Sequence, residues 1–182
     1  TITIDLSTLK PTVAFPHLPE NTKTVDQITE EIKIDQVAIG SCTNSSYADL
    51  MKVAAILKGK KVHPDVSLVI SPGSSKILAK MAENGALADI ISSGARIIEN
   101  ACGPCIGMGQ SPKSGAVSLR TFNRNFEGRS GTKDGQIYLV SPELAAASAV
   151  AGVLVDPRSL GDMPEFKLPE VFEINDNMIV PP

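Results

Sequence analysis

The chain has few aromatic residues, histidines and cysteines. Its 182 residues include no tryptophan, two tyrosines and five phenylalanines, so Val, Ile, Leu and Ala must supply most of the core. The two histidines, His17 and His63, stand beside prolines in no recognisable metal-ligand spacing. A zinc site built on three cysteines would therefore lack an evident fourth ligand.

Long apolar runs and an excess of basic charge are also missing. No stretch approaches the ~20 apolar residues of a membrane-spanning helix, and the first residues do not resemble a signal peptide. The formal net charge is −3 without a basic stripe, which gives little support to nucleic-acid binding. Few and unpaired cysteines are typical of a reducing compartment, so we expect a soluble protein of the cytoplasm.

Proline spacing divides the chain into three parts. Residues 1–34 are expected to be an irregular lead-in, because their prolines are too close together for a helix or a central strand. Residues 35–152 have the globular pattern of one domain. Prolines return in residues 153–182, which we interpret as a trailing segment or the start of a linker to a missing domain.

Short apolar runs alternate with amphipathic stretches between residues 35 and 152. The runs predict strands at 37–39, 66–70, 95–98, 117–121 and 136–140. Helices are predicted from a cap at Ser45 to about 58, from about 75 to 84, over 87–92 and over 142–151. This alternation predicts an α/β domain with three α/β/α layers around a small, mainly parallel sheet.

Three cysteines, the only ones in the chain, each follow a predicted strand. Cys42 lies in the segment Gly40–Tyr47, and Cys102 and Cys105 lie in Ala101–Gly107. Three thiols cannot all pair as disulfides within one chain. They are also one short of the four thiolates that hold an ordinary iron–sulfur cluster. A cluster held by three thiolates leaves one iron free to bind a substrate oxygen as a Lewis acid.

Other interpretations of these cysteines stay open at this point. Cys-Gly-Pro-Cys is also the redox motif of thioredoxins. However, Gly107, Gly109 and Pro112 stand where a long helix should begin, and Cys42 is left without a role. Zinc and inert buried cysteines are further alternatives, although core packing does not explain so many neighbouring glycines.

Three motifs, in this order and at this approximate spacing, resemble those of the aconitase superfamily. They are Gly40–Tyr47, Cys102–Gly107 and Asn123–Arg129, and Val140–Glu143 before an Ala-rich helix is a further match. The superfamily includes aconitases, homoaconitases and isopropylmalate isomerases. The resemblance extends over essentially the whole chain.

The resemblance implies a cofactor and an incomplete enzyme. Cys42, Cys102 and Cys105 match the cysteines that hold a [4Fe–4S] cluster in the family. These motifs belong to the third domain, so residues 35–152 are expected to be the cluster-binding domain. The family's serine base lies on a swivelling domain or small subunit, and acidic and histidine residues come from two earlier domains. The fragment therefore contains no catalytic residue of its own, is predicted to be inactive alone, and need not retain its cluster.

The segment that follows the fourth predicted strand offers groups for a carboxylate ligand. Arg124 and Arg129 resemble the family's substrate-binding arginines, and Asn123 resembles its cluster-adjacent asparagine. Arginine can hold a carboxylate through two parallel hydrogen bonds. Asn44, near Cys42, could donate a hydrogen bond to a cluster sulfur. Without the resemblance, this segment would be interpreted as a solvated polar loop.

The resemblance leaves the activity open between related reactions on a di- or tricarboxylate. Ser45–Tyr47 and the ending 174–182, which resembles a tether to a fused domain, favour aconitate hydratase, the tricarboxylic acid cycle enzyme acting on citrate and isocitrate. Phe126–Arg129 favours the alternative, isopropylmalate isomerase or homoaconitase. A non-enzymatic iron-sensing, redox-sensing or RNA-binding module is the other class, and the net charge counts against RNA.

Overall fold

The computed structural model describes residues 1–161, 165–172 and 179–180, in which seven strands form one sheet accompanied by four α-helices. The strands are β1 Thr12–Ala14, β2 Thr22–Thr24, β3 Gln36–Gly40, β4 Ser67–Ser71, β5 Arg96–Ile97, β6 Val117–Arg120 and β7 Gln136–Leu139. The helices are α1 Tyr47–Leu57, α2 Ser75–Glu83, α3 Ala86–Ser92 and α4 Pro142–Ala151. None of the helices in this described part is long and apolar enough to cross a membrane.

The sheet confirms the predicted α/β class. Its strand order is β2-β1-β7-β6-β3-β4-β5, and the five strands from β3 to β7 are mutually parallel. The five strands predicted from apolar runs are all present. Each observed strand differs from its predicted limits by no more than one residue at either end.

The helix starts agree with the sequence in one case and correct it in another. α4 begins at Pro142 behind the predicted cap Ser141. α1 is capped by Ser46 and not by Ser45, because Ser46 and Asp49 exchange side-chain and backbone hydrogen bonds at 3.2 and 3.1 Å. The buried Ser45 hydroxyl instead donates to the carbonyl of Ser41.

One face of the sheet carries the main apolar core. Its central strands present Val37, Ile39, Leu68, Ile70 and Leu119, each 3% exposed or less. α4 packs on β3 and on α1, and α1 in turn contacts α3. This burial supplies most of the driving force for folding of the domain.

The other face is covered by loops. The chain moves from β3 to β4 and β5 in one direction, then returns to β6 and β7 on the other side of β3. Right-handed crossovers place connections that run in opposite directions on opposite faces. Segments 98–116 and 121–135 therefore form the third layer, which in the described residues contains the 3-10 turn Gly103–Ile106 and no α-helix.

The lead-in is more regular than its prolines predict. β1 and β2 pair with each other, and β1 joins the sheet antiparallel to β7. Prolines exclude a central strand but permit short strands near a sheet edge. In the trailing segment, a 3-10 turn spans Pro157–Leu160 and the Phe172 ring packs edge-on against Tyr47 at 5.6 Å. Residues 174–178 and 181–182 of the predicted tether lie outside the described residues.

Candidate functional site

The structure brings the three cysteines together at the carboxyl ends of the parallel strands. The Ser41 hydroxyl oxygen lies 2.9 Å from the sulfur of Cys105, 3.5 Å from that of Cys102 and 3.8 Å from that of Cys42. The sulfurs of Cys102 and Cys105 are 3.4 Å apart, and all three thiols are free. Cys42 and Cys102 are exposed whereas Cys105 is buried, so the cluster of thiols opens to solvent on one side.

The backbone before Cys42 is held in a conformation that suits glycine. Gly40 has a φ of +117°, and a Cβ there would lie 2.0 Å from the carbonyl oxygen of Ser71. Ser41 follows with a φ of 67°, which non-glycine residues adopt rarely. Its amide donates to the Ser71 carbonyl at 3.0 Å. This sharp turn places the Ser41 side chain among the thiols.

Polar side chains at the strand ends connect the loops of the site. The Gly40 amide donates to the Thr121 hydroxyl at 2.9 Å, and the Ser71 hydroxyl donates to the carbonyls of Glu99 and Ala101 at 2.8 and 3.0 Å. The Asn44 amide donates to the backbone carbonyl of Thr121, and its expected hydrogen bond to a cluster sulfur stays a prediction. In this arrangement Asn44 positions the loop that carries Cys42.

The second cysteine motif forms a tight turn packed against the arginine segment. Cys105 lies in the 3-10 turn Gly103–Ile106, and no long thioredoxin-type helix follows it in the described chain. Gly107 ends the turn with a φ of +85°, and a Cβ there would lie 2.3 Å from the Ser130 carbonyl oxygen. The close approach therefore requires glycine. The Cys105 side chain packs with Phe122 on the loop-covered face of the sheet.

The two cysteines of this motif are in different electrostatic environments. The hydrogen bond with the Ser41 hydroxyl, followed by contacts with the other two thiols and the charge of Arg129, lowers the pKa of Cys102. Burial raises the pKa of the Cys105 thiol. The exposed Cys102 is therefore the more readily ionised thiol of the pair.

The predicted carboxylate-binding residues lie in the loop after β6 and differ in exposure. Asn123 and Arg124 are exposed, and Arg129 is half-buried with its guanidinium carbon 5.7 Å from the centre of the Phe126 ring. The Arg129 Nε is buried, and no hydrogen-bond partner for it lies among the described residues. Leaving a buried donor unpaired costs free energy. An anionic ligand that accepts a hydrogen bond from this N–H would remove that cost.

Asn125 anchors the loop that carries Arg124 and Arg129 to neighbouring parts of the sheet. It is fully buried, and its amide donates to the carbonyls of Phe15 and Ile137 at 2.8 and 3.1 Å. The loop of the arginines is thereby joined to β7 and to the chain just after β1. The sequence motif alone did not indicate this anchoring role.

Arg120, which the sequence placed only within a strand, is fully buried beneath the cysteine turn. Desolvation lowers its pKa to about 10. Strand alternation puts Arg120 on the face opposite Leu119, and that signal was available from the sequence. What alternation does not reveal is that loops cover this face.

The donor set fits an iron–sulfur cluster better than a single ion. Among the described residues, no three His, Cys, Asp or Glu side chains surround a common single-ion position. Three soft sulfur ligands are typical of iron–sulfur chemistry. The Cys102 and Cys105 sulfurs, 3.4 Å apart, lie closer together than two ligands of one cluster, so binding of a cluster would require the turn to spread. The flanking glycines, Gly103 and Gly107, permit that movement.

Comparison with known proteins places this site in a family. The sequence model described as Aconitase family (aconitate hydratase) matches residues 24–152. The 3-isopropylmalate dehydratase large subunit of Clostridioides difficile (strain 630) is 51% identical over 159 residues, covering 86% of this chain and 37% of the relative. The 2,3-dimethylmalate dehydratase large subunit of Eubacterium barkeri is 51% identical over 162 residues, covering 88% of this chain and 38% of the relative.

The match is extensive for this chain and partial for the relatives. The chain spans somewhat more than a third of the length of the curated relatives it matches. The family match includes all three cysteines and the arginine segment, since residues 24–152 contain both. On this evidence the chain belongs to the aconitase family.

Proposed function

We propose that this chain is the cluster-binding part of a dehydratase that acts on a branched, substituted malate. Support for the reaction class comes from the family, and support for the substrate class comes from the relatives, which are named as dehydratases of 3-isopropylmalate and 2,3-dimethylmalate. Their names favour the isopropylmalate alternative over the citrate-specific aconitate hydratase that the sequence suggested first. The observation that carries the proposal is the convergence of three free thiols beside Arg129.

Cys42, Cys102 and Cys105 are the residues that would hold a [4Fe–4S] cluster. When bound, such a cluster supplies a Lewis-acidic iron that assists departure of a substrate hydroxyl. The exposed side of the thiol group, formed by Cys42 and Cys102, faces the solvent from which a substrate enters. Cys105 forms the buried side, where its turn is anchored to the sheet.

Arg129 is proposed to bind and orient a substrate carboxylate. Its buried, unpaired Nε and its planar guanidinium suit a hydrogen-bonded pairing that fixes both position and angle. Arg124 and Asn123 are exposed at the same loop and are proposed to contact the outer part of the substrate. Asn44 and Asn125, which donate to backbone carbonyls, are proposed to position these groups.

The general base is proposed to come from outside this chain. Proton removal needs a group within hydrogen-bond reach of the substrate carbon. The family resemblance assigns that role to a serine on a swivelling domain or small subunit. The relatives are named large subunits, which supports a separate partner chain. The 182-residue chain alone is therefore expected to show no turnover.

The test is an anaerobic assay of the full-length protein with its partner subunit, using 3-isopropylmalate, 2,3-dimethylmalate and citrate in parallel. The proposal expects dehydration of a substituted malate and little reaction of citrate. Preference for citrate would return the assignment to aconitate hydratase. Iron and sulfide are quantified on the same sample, and activity without either would overturn the cluster assignment.

A further inference from the structure

Arg120 is a buried cation with no acidic partner among the described residues. It is 0% exposed and makes four hydrogen bonds, all to uncharged oxygens. Charged groups are almost never fully buried unless they are paired or lie at a metal. Unless a nearby thiol ionises, none of the described residues supplies a negative charge that balances the buried guanidinium.

The hydrogen bonds of Arg120 go to both ends of the segment that carries Cys105. One Nη donates to the Pro104 carbonyl inside the cysteine turn, and the other donates to the Gln110 carbonyl at 2.8 Å. The Nε donates to the Ser118 hydroxyl at 3.1 Å. Arg120 thus fixes the turn and the chain leaving it from the sheet side.

The remaining contacts hold the guanidinium itself in place. Gln36 accepts from Nη2 through its side-chain oxygen at 2.7 Å and accepts from Ser118 at 2.8 Å. The guanidinium carbon lies 5.6 Å from the centre of the Phe122 ring, which packs with Cys105. The guanidinium is therefore held by residues of β3 and β6, and it donates to the carbonyl of Pro104, the residue directly before Cys105.

From this arrangement we infer that Arg120 is the buried counter-charge to a metal-bound Cys105 thiolate and the residue that positions the Cys105 turn for loading. The inference rests on the proposed cluster. Arg120 touches neither substrate nor reacting atoms, and it acts through Cys105 as a positioning residue. A positive charge near a cluster stabilises its reduced form, so removal of the charge makes the reduction potential more negative.

The test uses the chain reconstituted anaerobically with iron and sulfide, compared as wild type, Arg120→Met, Arg120→Lys and Arg96→Met. Arg96 is a matched control, because it donates to the Gly109 carbonyl at 2.7 Å on the same segment but is exposed. Two readouts are measured: the midpoint potential in a dithionite titration, and the rate of iron release to a chelator. Circular dichroism monitors folding of each variant.

Arg120→Met is expected to have a more negative potential and to release iron at least tenfold faster than the wild type. Arg96→Met is expected to keep the wild-type potential and to release iron within twofold of its rate. Arg120→Lys keeps the charge but loses the forked hydrogen bonds, so it should keep the potential and release iron several-fold faster.

An Arg120→Met variant with unchanged potential and unchanged iron release would overturn the inference. If Arg120→Met does not fold, the Arg120→Lys variant tests the inference in its place. A shifted potential in Arg120→Lys contradicts the counter-charge role, and an unchanged release rate contradicts the positioning role. Failure of the wild type to take up iron would instead contradict the proposed function, and it is measured first.

Discussion

The two faces of the sheet are built from the same strands but differ in the side chains that they bury. On the helix-covered face, Val37, Leu68 and Leu119 contribute apolar side chains to one continuous core. On the loop-covered face, the neighbouring residues Gln36, Ser118 and Arg120 are equally buried but polar. Strand alternation places each set on its own side.

The difference separates the apolar core from the proposed site. The helix-covered face is stabilised by apolar packing alone. Substitutions at exposed positions elsewhere should therefore affect it little. The loop face depends on a hydrogen-bonded network in which Arg120 and Gln36 each bond several partners. Changes on the two faces should therefore separate into effects on unfolding and effects on the site.

Cys102→Ser on the loop-covered face is expected to show the largest difference between the effect on iron binding and the effect on folding. Loss of one of three thiolates should remove nearly all reconstituted iron, out of about four per chain, while the far-UV circular dichroism stays unchanged. Met108→Leu is the matched control, because Met108 is an exposed sulfur side chain on the same segment. If Cys102→Ser retains full iron, Cys102 is not a ligand.

The converse change is Leu144→Ala on the helix face. Leu144 is 0% exposed in α4, and a cavity at such a site costs about 2–5 kcal/mol. The free energy of unfolding, measured by urea denaturation of the apo chain, should fall by that amount. Iron content after reconstitution should stay at the wild-type level. A parallel loss of iron would show that the two faces are coupled.

A third prediction sharpens the role of the arginine loop. In the full-length enzyme with its partner, Arg129→Lys should lower kcat/KM by about 10- to 100-fold, because a hydrogen bond to a charged group contributes about 1.5–3 kcal/mol. Lys133→Met removes an exposed charge from the same loop and should have little effect, since Lys133 lies 4.0 Å from Glu127 at the surface. If Arg129→Lys and Lys133→Met have the same kcat/KM, Arg129 is a surface residue that does not bind substrate.

The smallest predicted effect is electrostatic and lies between α1 and α4. The Lys52 ammonium lies 2.8 Å from the Glu143 carboxylate. Burial opposes ionisation of Glu143, but hydrogen bonds from Lys52, its own backbone amide and Ser141 together keep its pKa below the ordinary value of 4.5. Stability from this group is present above pH 4.5 and is lost as the pH falls through the lowered pKa.

Glu143→Gln should therefore lower the free energy of unfolding at pH 7 by about 0.5–1 kcal/mol, since the pair is partly exposed. The difference from the wild type should shrink in urea titrations carried out below pH 4. The change leaves the site untouched, so iron content should not move. A variant whose deficit grows as the pH falls would contradict the assigned direction.

Much of the fold could be predicted from local sequence. Short apolar runs gave β3 to β7, and Ser141-Pro142 gave the start of α4, because these signals depend on neighbouring residues alone. The hairpin of β1 and β2 was not predicted, since its short strands depend on pairing with β7, far away in the chain. The cap of α1 was misplaced by one residue because Ser45 and Ser46 offer the same side chain.

The convergence of the three cysteines was predictable from the sequence, whereas the residues that position them were not. Cysteine spacing and strand ends indicated that Cys42, Cys102 and Cys105 would meet. The Ser41 contact depends on a left-handed backbone, and the burial of Arg120 depends on loops that cover it. Neither leaves a local pattern. Within the arginine motif, Phe126–Arg129 pointed toward the class of relatives found, whereas Ser45–Tyr47 pointed toward aconitate hydratase.

The most direct test of the central claim is native mass spectrometry of the chain reconstituted with iron and sulfide under anaerobic conditions. We predict a mass increment of four irons and four sulfides, which disappears in Cys102→Ser. A single zinc increment, a loss of two hydrogens from a Cys102–Cys105 disulfide, or no increment at all would contradict the assignment of these three cysteines to a cluster.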